Sequence, residues 1–241
     1  MDKLPRILVI DIETAPAELW GWGPLYNANF GVAQVKAHPY ILMVGYKWIG
    51  ERKSYCLTNW DMTQQEMLQR TIELLEECDA VVSKNGAKFD IPWIRTELLK
   101  HKLGPLPKLT HIDLEKAARA YFRFLSNKLD YIVQYLDIGK KVEHEGFPLW
   151  RKVMEGSKEA RRRMVQYCKG DLIITEKLYF EMGPHIENHP AIRALGSKAC
   201  VFCHSTRTQK RGPRYTACFE IQRHQCKDCR KWFDGERKKV A

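Results

Sequence analysis

No apolar stretch in this sequence approaches the roughly 20 residues that a membrane-spanning helix needs, and neither a low-complexity tract nor an internal repeat is present. The expectation is a soluble globular protein without a membrane partner. The one apolar run near the N-terminus, Ile7-Leu8-Val9-Ile10, stops at Asp11 and makes a poor signal peptide. The eight cysteines are unevenly placed, which speaks for a metal site over a disulfide framework. Four of the eight fall as two C-x-x-C pairs near the C-terminus, while Cys56, Cys78, Cys168 and Cys218 are scattered. That pattern favours a metal site in a reducing compartment. Acidic residues are the scarcer charge, with 29 Asp+Glu against 40 Lys+Arg. The surplus is local: residues 198–241 hold 12 basic and 4 acidic residues, which leaves 28 against 25 in the rest. A basic tail on a nearly neutral body points to a polyanion, most often nucleic acid, although basic surfaces also serve solubility.

The chain is long enough for one core of roughly 150 to 200 residues and a small appendage. Its first strand raises a physical question. "ILVIDIET" reads as a buried strand that runs straight into two carboxylates one residue apart. Side chains alternate across a strand, so Asp11 and Glu13 share a face. Two like charges in a half-buried place repel and lose hydration, and something positive must sit near them.

Beyond that strand, "WGWGPLYNANFG" reads as a long ordered loop, and "YILMVGYKWIG" with "KSYCLTNW" as a hairpin. Asp61 is a candidate cap for a helix in "MTQQEMLQRTIELLEEC", with Met67, Ile72, Leu74, Leu75 and Cys78 on its apolar face. "AVVSKNG" and "LTHIDL" are further strands, and "IPWIRTELLKHK" is a helix with Pro92 in its first turn. Helices follow around 114–124 and 128–136, and a long one from about 158 to 181. "GPHIENHP" then breaks the pattern and marks a domain boundary. This order of elements predicts an α/β layer structure with a mixed sheet.

Three places add to the carboxylate pair. "NGAKFDIPWI" puts Asp90 just after a strand, beside Asn85 and Phe89, where a plain helix cap is an equally good reading. "YCKGDLIITEKLY" puts Tyr167 and Asp171 four apart on one helix face, together with Ile174, so that face packs on the sheet. Seen singly, a D-x-E is more often a solvated strand end, and a Tyr/Asp pair more often ordinary helix surface. Taken jointly they make a four-carboxylate cluster, which holds together only if cations neutralise it. Hard oxygen ligands suit Mg²⁺ or Mn²⁺, and two such ions can activate a water against a phosphodiester.

"DIET", "NGAKFD" and "YCKGD" resemble the three motifs of the DEDD 3′→5′ exonucleases of the ribonuclease H-like superfamily. The Y-x-x-x-D form is similar to that of DEDDy enzymes, including the proofreading domains of family B DNA polymerases. "HPYILMVGYKWIG", "SNKLDYIVQYL" and "LWRKVMEGSKEARRRMVQYCKGD" extend the resemblance to stand-alone exonucleases of phages and bacteria, over about residues 5–183. The resemblance implies a ribonuclease H-like mixed sheet flanked by helices. It implies catalytic roles for Asp11, Glu13, Asp90, Tyr167 and Asp171. Asp11 would bridge two metals, Glu13 and Asp171 would complete the nucleophile-side site, and Asp90 would hold the second. Tyr167 would orient the attacking water without being the base, since an unperturbed Tyr titrates near pH 10. Thr14, Asn85 and Phe89 match positions close to the substrate strand. Phe122, Phe124 and Trp93 are weaker stacking candidates, because aromatics in such helices are more often core. The implied reaction releases 5′-mononucleotides from a 3′ end, with DNA ahead of RNA as substrate. The bacterial or phage-infected cytoplasm is the implied location, and a DNA polymerase or other replication protein a candidate partner.

In the tail, Cys200, Cys203, Cys226 and Cys229 form two knuckles separated by 22 residues. That spacing favours a tetrahedral Cys₄ site for one structural Zn²⁺, and the strand-like "RYTACFEIQRHQC" between the knuckles resembles a zinc ribbon. Zinc would explain how about 40 residues fold with few large apolar groups. Trp232 and Phe233 are expected to complete the small core. His204 and His224 are alternative ligands of lower standing, and Cys218 lacks a knuckle partner. Lys210, Arg211, Arg214 and Arg223 can follow phosphates, with a protein partner as the competing reading; Arg161-Arg162-Arg163 fit a solvated helix face at least as well. The expected organisation is an exonuclease domain over 1–185, a linker over 186–197 and a zinc ribbon with basic tail over 198–241. A different class, a non-catalytic nucleic-acid-binding protein on a vestigial fold, is opposed by the intact motif set.

Overall fold

The computed structural model describes residues 6–22, 29–186, 200, 202, 205–216 and 219–239. Residues 187–197 of the expected linker, Cys203, His204 and Cys218 lie outside that set.

A five-stranded mixed sheet organises the first 186 residues. Its central strand β1 (Ile7–Thr14) is built from β-branched and long aliphatic residues that suit a strand buried on both faces. It pairs antiparallel with β4 (Ile41–Trp48), which pairs antiparallel with β5 (Tyr55–Thr58). On its other side it pairs parallel with β6 (Ala80–Ser83), followed by parallel β7 (His111–Asp113). The order is β5-β4-β1-β6-β7. Between β1 and β4 the chain makes a small excursion, β2 (Glu18–Leu19) against β3 (Val35–Ala37) with a 3-10 turn at Val32–Gln34. The sequence pattern indicated only a loop there.

Helices cover both faces. Leu8, Ile10 and Ile12 point to the layer of α1 (Gln64–Glu77) and α2 (Asp90–Lys100), where they pack with Met67, Leu68, Ile72, Ile94 and Leu98. Ile7 and Val9 point the other way, to α3 (Leu114–Tyr121), α4 (Leu129–Tyr135), α5 (Phe147–Met154) and the 25-residue α6 (Lys158–Met182). α6 lies on the sheet through a stripe at helical spacing, Ala160, Met164, Cys168, Leu172, Thr175, Tyr179 and Met182. A fully buried Leu such as Leu172 contributes about 1.5–3 kcal/mol.

The cap of α1 differs from expectation. Thr63, not Asp61, is the N-cap: its hydroxyl accepts from Glu66 N–H at 3.2 Å and Glu66 Oε2 accepts from Thr63 N–H at 2.8 Å. This reciprocal box satisfies two end donors at once. Asp61 instead accepts from the Thr58 hydroxyl and closes the preceding turn.

The C-terminal residues form a second, three-stranded antiparallel sheet of β8 (Thr208–Tyr215), β9 (Phe219–Cys226) and β10 (Trp232–Lys239), ordered β10-β9-β8. Phe202, Phe233, Cys200 and Cys226 are buried in a cluster continuous with Tyr179 and Met182 at the end of α6. Trp232 corrects the expectation of a core residue: it is 44% exposed, whereas Phe233 is buried. Neighbours on a strand point to opposite faces, and only one of these two can face the cysteines. Among the described residues no helix is long and apolar enough to cross a membrane.

Candidate active site

The alternation of β1 decides where its carboxylates go. Asp11 and Glu13 follow Ile7 and Val9 on the α6 side, opposite Gly45 and Met43 of β4. Gly45 is required there: a Cβ at this position would stand 2.3 Å from the Cys168 sulfur, so any larger residue would hold α6 off the sheet beside Asp11.

Asp90 arrives from the other helical layer. It opens α2 just beyond the C-terminal end of β6 and is almost fully buried. Its Oδ1 accepts a hydrogen bond from the Ile12 backbone N–H at 2.9 Å, which locks it to β1 between Asp11 and Glu13. Tyr167 and Asp171 come down from α6 in the middle of its apolar stripe, and both are buried. The four carboxylates feel one another. Burial pushes the Asp11 carboxyl well above its ordinary range, and the charges of Asp90, Glu13 and Asp171 push it further. Glu13 is pushed up to about 8 by burial and by Asp171. Asp90 is pushed up to about 7 by burial, against the backbone hydrogen bonds it accepts. Asp171 is raised by burial, and its Oδ1 takes no hydrogen bond among the described residues.

One cation is in place. The Lys141 ammonium lies 2.9 Å from Asp171 Oδ2 and 4.8 Å above the Tyr167 ring, and its charge opposes the upward shifts of Asp11, Glu13 and Asp171. It stands on the irregular segment between α4 and α5. Gly170 lets that segment approach, since a Cβ there would meet Val142 at 2.6 Å. The same segment supplies His144, whose ring meets Tyr167 edge-on at 4.6 Å, and Trp150 of α5 closes the box at 6.1 Å. Burial and the charges of Asp171, Glu13 and Asp11 raise the Tyr167 phenol, so it stays a neutral hydroxyl.

Lys141, His144 and Trp150 were not among the residues the sequence pointed to. The segment 136–146 has no periodicity to read, and the one signal was Gly170 itself. A glycine inside a helix costs about 1 kcal/mol relative to alanine, and so marks a close approach.

The candidate substrate contacts divide into two groups. Thr14 ends β1 at an irregularity in its pairing with β4. Asn85 follows β6 in a left-handed conformation, φ 68°, and its N–H donates to Asp113 Oδ1 at 3.0 Å. Phe89 precedes Asp90 and is 39% exposed, with its ring 6.3 Å from Trp93. Because β1 and β6 are parallel, all three lie at one end of the sheet, the end that carries Glu13 and Asp90. Phe122 and Phe124 stack on each other at 5.4 Å, partly buried against the core. The basic candidates Lys210, Arg211, Arg214 and Arg223 belong to the second sheet. There Arg214 pairs with Asp234 at 2.6 Å, and Arg211 donates to Gln225 Oε1.

Three of the four expected zinc ligands are described. The sulfurs of Cys200, Cys226 and Cys229 lie within 4.8 Å of one another, the one group of three or more potential metal ligands drawn that tightly among the described residues. His224 is not part of that group; its ring stacks on Phe233. The carboxylates do not draw together as closely, and Lys141 stands among them.

A family model described as the RNase_H superfamily matches residues 31–182, well over half of the chain, and the chain belongs to that superfamily. The matched segment contains Asp90, Tyr167 and Asp171, while Asp11 and Glu13 precede it. Among solved structures, a family B DNA polymerase from the hyperthermophilic archaeon Pyrobaculum calidifontis shares the fold at TM-score 0.52 and 12% identity, over 89% of this chain and 31% of that one. The RNase D of Trypanosoma brucei does so at TM-score 0.50 and 13% identity, over 78% of this chain and 59% of that one. The chain thus corresponds to under a third of the polymerase and about three fifths of the RNase D. No curated protein matches the sequence.

Proposed function

We propose that the chain is a metal-dependent 3′→5′ exonuclease of the DEDDy type, which hydrolyses single-stranded DNA from its 3′ end and releases 5′-mononucleotides. The observation that carries this reading is the convergence of Asp11, Glu13, Asp90 and Asp171 with Tyr167 around the C-terminal half of β1 in an RNase_H-superfamily sheet. Mutual repulsion, burial and an unbonded Asp171 Oδ1 make these carboxylates a hard-oxygen donor set that fits Mg²⁺ or Mn²⁺. Asp11, Glu13 and Asp171 would hold one ion and Asp11 with Asp90 a second. Bound there, the pair would activate a water and stabilise the leaving oxygen.

The chain's own groups do the rest. Tyr167, kept neutral and boxed by His144 and Trp150, orients a water by its hydroxyl without removing a proton. The Ile12 N–H fixes Asp90 so that it cannot swing away from β1. Lys141 offsets part of the negative charge before any ligand binds. Cys200, Cys226 and Cys229, with Cys203 as the fourth thiolate, would hold one structural Zn²⁺. In this reading residues 1–185 are the nuclease, 186–197 the linker and 198–241 the ribbon.

The test follows a 5′-labelled single-stranded DNA oligomer, with an RNA copy alongside, in Mg²⁺ or Mn²⁺. A descending ladder on DNA that Asp11→Ala abolishes is the expected result. A ladder on RNA alone would move the protein to the second reading, an exoribonuclease using the same carboxylates. A block at the 3′ end should stop an exonuclease and spare an endonuclease. No cleavage of either polymer would sink the enzyme reading.

A further inference from the structure

The second sheet carries a feature that the carboxylate site does not use. Trp232 stands on the outer face of β10, with the Arg223 guanidinium 4.5 Å and the Arg211 guanidinium 6.0 Å from its ring. The register accounts for the grouping: Trp232 opposes Gln225, Gln225 opposes Gln209, and Asp234 opposes Arg223, so these positions share one face across three strands. Arg211 reaches the same place through its hydrogen bonds to Gln225. Two of the acids here are already engaged, Asp228 by Arg207 and Asp234 by Arg214. Arg211 and Arg223 make no ion pair among the described residues.

We infer that this outer face is a binding site for single-stranded nucleic acid, in which a base stacks on Trp232 and Arg211 and Arg223 take the flanking phosphates. The inference borrows from the proposed function only the polymer class and otherwise stands apart from the carboxylates. Charge argues for this occupant. An exposed indole beside two guanidiniums that no carboxylate among the described residues neutralises, in a segment with 12 basic and 4 acidic residues, suits a polyanion with flat bases. The relative strengths agree. An exposed guanidinium–indole stack is worth about 2- to 5-fold in affinity and a base on an aromatic about 5- to 150-fold. A base therefore displaces the guanidinium, and the freed fork turns to a phosphate.

The experiment uses the full zinc-loaded chain with Ca²⁺ in place of Mg²⁺ to suppress hydrolysis. Anisotropy of a fluorescein-labelled oligothymidylate should show that Trp232→Ala weakens binding about 5- to 150-fold while Trp232→Phe retains most of it. Unchanged affinity of Trp232→Ala, at unchanged zinc content and melting temperature, overturns the inference. Should the alanine variant lose zinc, photocrosslinking of a 5-iodouracil oligomer to the unaltered protein decides: adducts at Trp232 support the site, and adducts only elsewhere sink it. Hydrolysis of a p-nitrophenyl thymidylate ester by the unaltered protein tests the exonuclease reading separately. Trp232-dependent binding without ester hydrolysis would leave the site standing and the exonuclease reading fallen, and the reverse result would do the opposite. Binding that depends on Trp232 for an acidic polypeptide but not for the oligomer would assign the face to a protein partner and overturn the nucleic-acid site.

Discussion

Lys141 and Asp171 face each other at 2.9 Å, the one ion pair among the described residues that reaches into the carboxylate cluster. It answers in part the question raised by two carboxylates on a buried strand: a lysine on a distant segment already stands among them. Its influence extends to Asp11 and Glu13, whose carboxyls it holds lower than burial alone would leave them.

Removing this charge should therefore act through proton affinity. Lys141→Met is expected to raise the Asp11, Glu13 and Asp171 carboxyls further and move the acidic limb of the pH–rate profile upward. Lys141→Arg should restore most of the profile. An unchanged profile in Lys141→Met would show that the ammonium does not act on these groups.

The same carboxyls make stability depend on pH and metal. Glu13 rises from 4.5 to about 8 and Asp90 from 3.8 to about 7 on folding. A raised acid binds its proton more tightly in the folded state, so its stabilisation is complete below the unfolded value and is lost as pH climbs through the folded one. Without divalent ions, the melting temperature should fall from about pH 5 to about pH 8. Mg²⁺ should raise it, and by more at the upper end, because fewer protons must leave before the ion binds. Calorimetric scans at the two pH values check both signs; equal Mg²⁺ gains would count against a carboxylate site.

Asp11→Asn separates stability from activity. The amide removes one member of a repelling set, so the metal-free protein should melt higher near pH 8 than the unaltered chain. Activity should fall by about 10³-fold or more, since several kcal/mol of charge stabilisation depend on that oxygen set. A variant that melts lower in divalent-free buffer would show that repulsion does not dominate there.

Gly170 offers a steric test. Alanine gains about 1 kcal/mol of helix propensity, but its Cβ would press on Val142 and move the segment carrying Lys141 and His144. Gly170→Ala is expected to cost at most about 2 kcal/mol in denaturant titration while losing activity about 10-fold or more. Val142→Ala in the same chain should recover part of the loss. Independent effects in a double-mutant cycle would mean that the contact does not position the segment.

A good part of this site was legible because covalent geometry writes it locally. Asp11 and Glu13 share a face by the two-residue period of a strand, and Tyr167 and Asp171 by the four-residue spacing of a helix. Asp90 was legible as a residue at a strand-to-helix junction, but not its hydrogen bond to Ile12, which joins positions 78 residues apart. The cap of α1 is not legible in the sequence, because Asp61 and Thr63 are both good caps and the choice turns on whether Glu66 reaches back. Nor does the order Trp232-Phe233 say which of two neighbours faces inward.

By itself the sequence determined the strand, helix and knuckle periodicities, the basic excess of the last 44 residues, and which polar groups each element would carry on which side. Only the tertiary structure decided that an aperiodic segment would bring Lys141, His144 and Trp150 onto Tyr167 and Asp171, and that Trp232 would stand outside between two arginines. The reason is physical. Periodicity follows from backbone geometry within an element, whereas the meeting of a loop with a helix depends on Gly170 admitting Val142, a contact made only after the layers have packed.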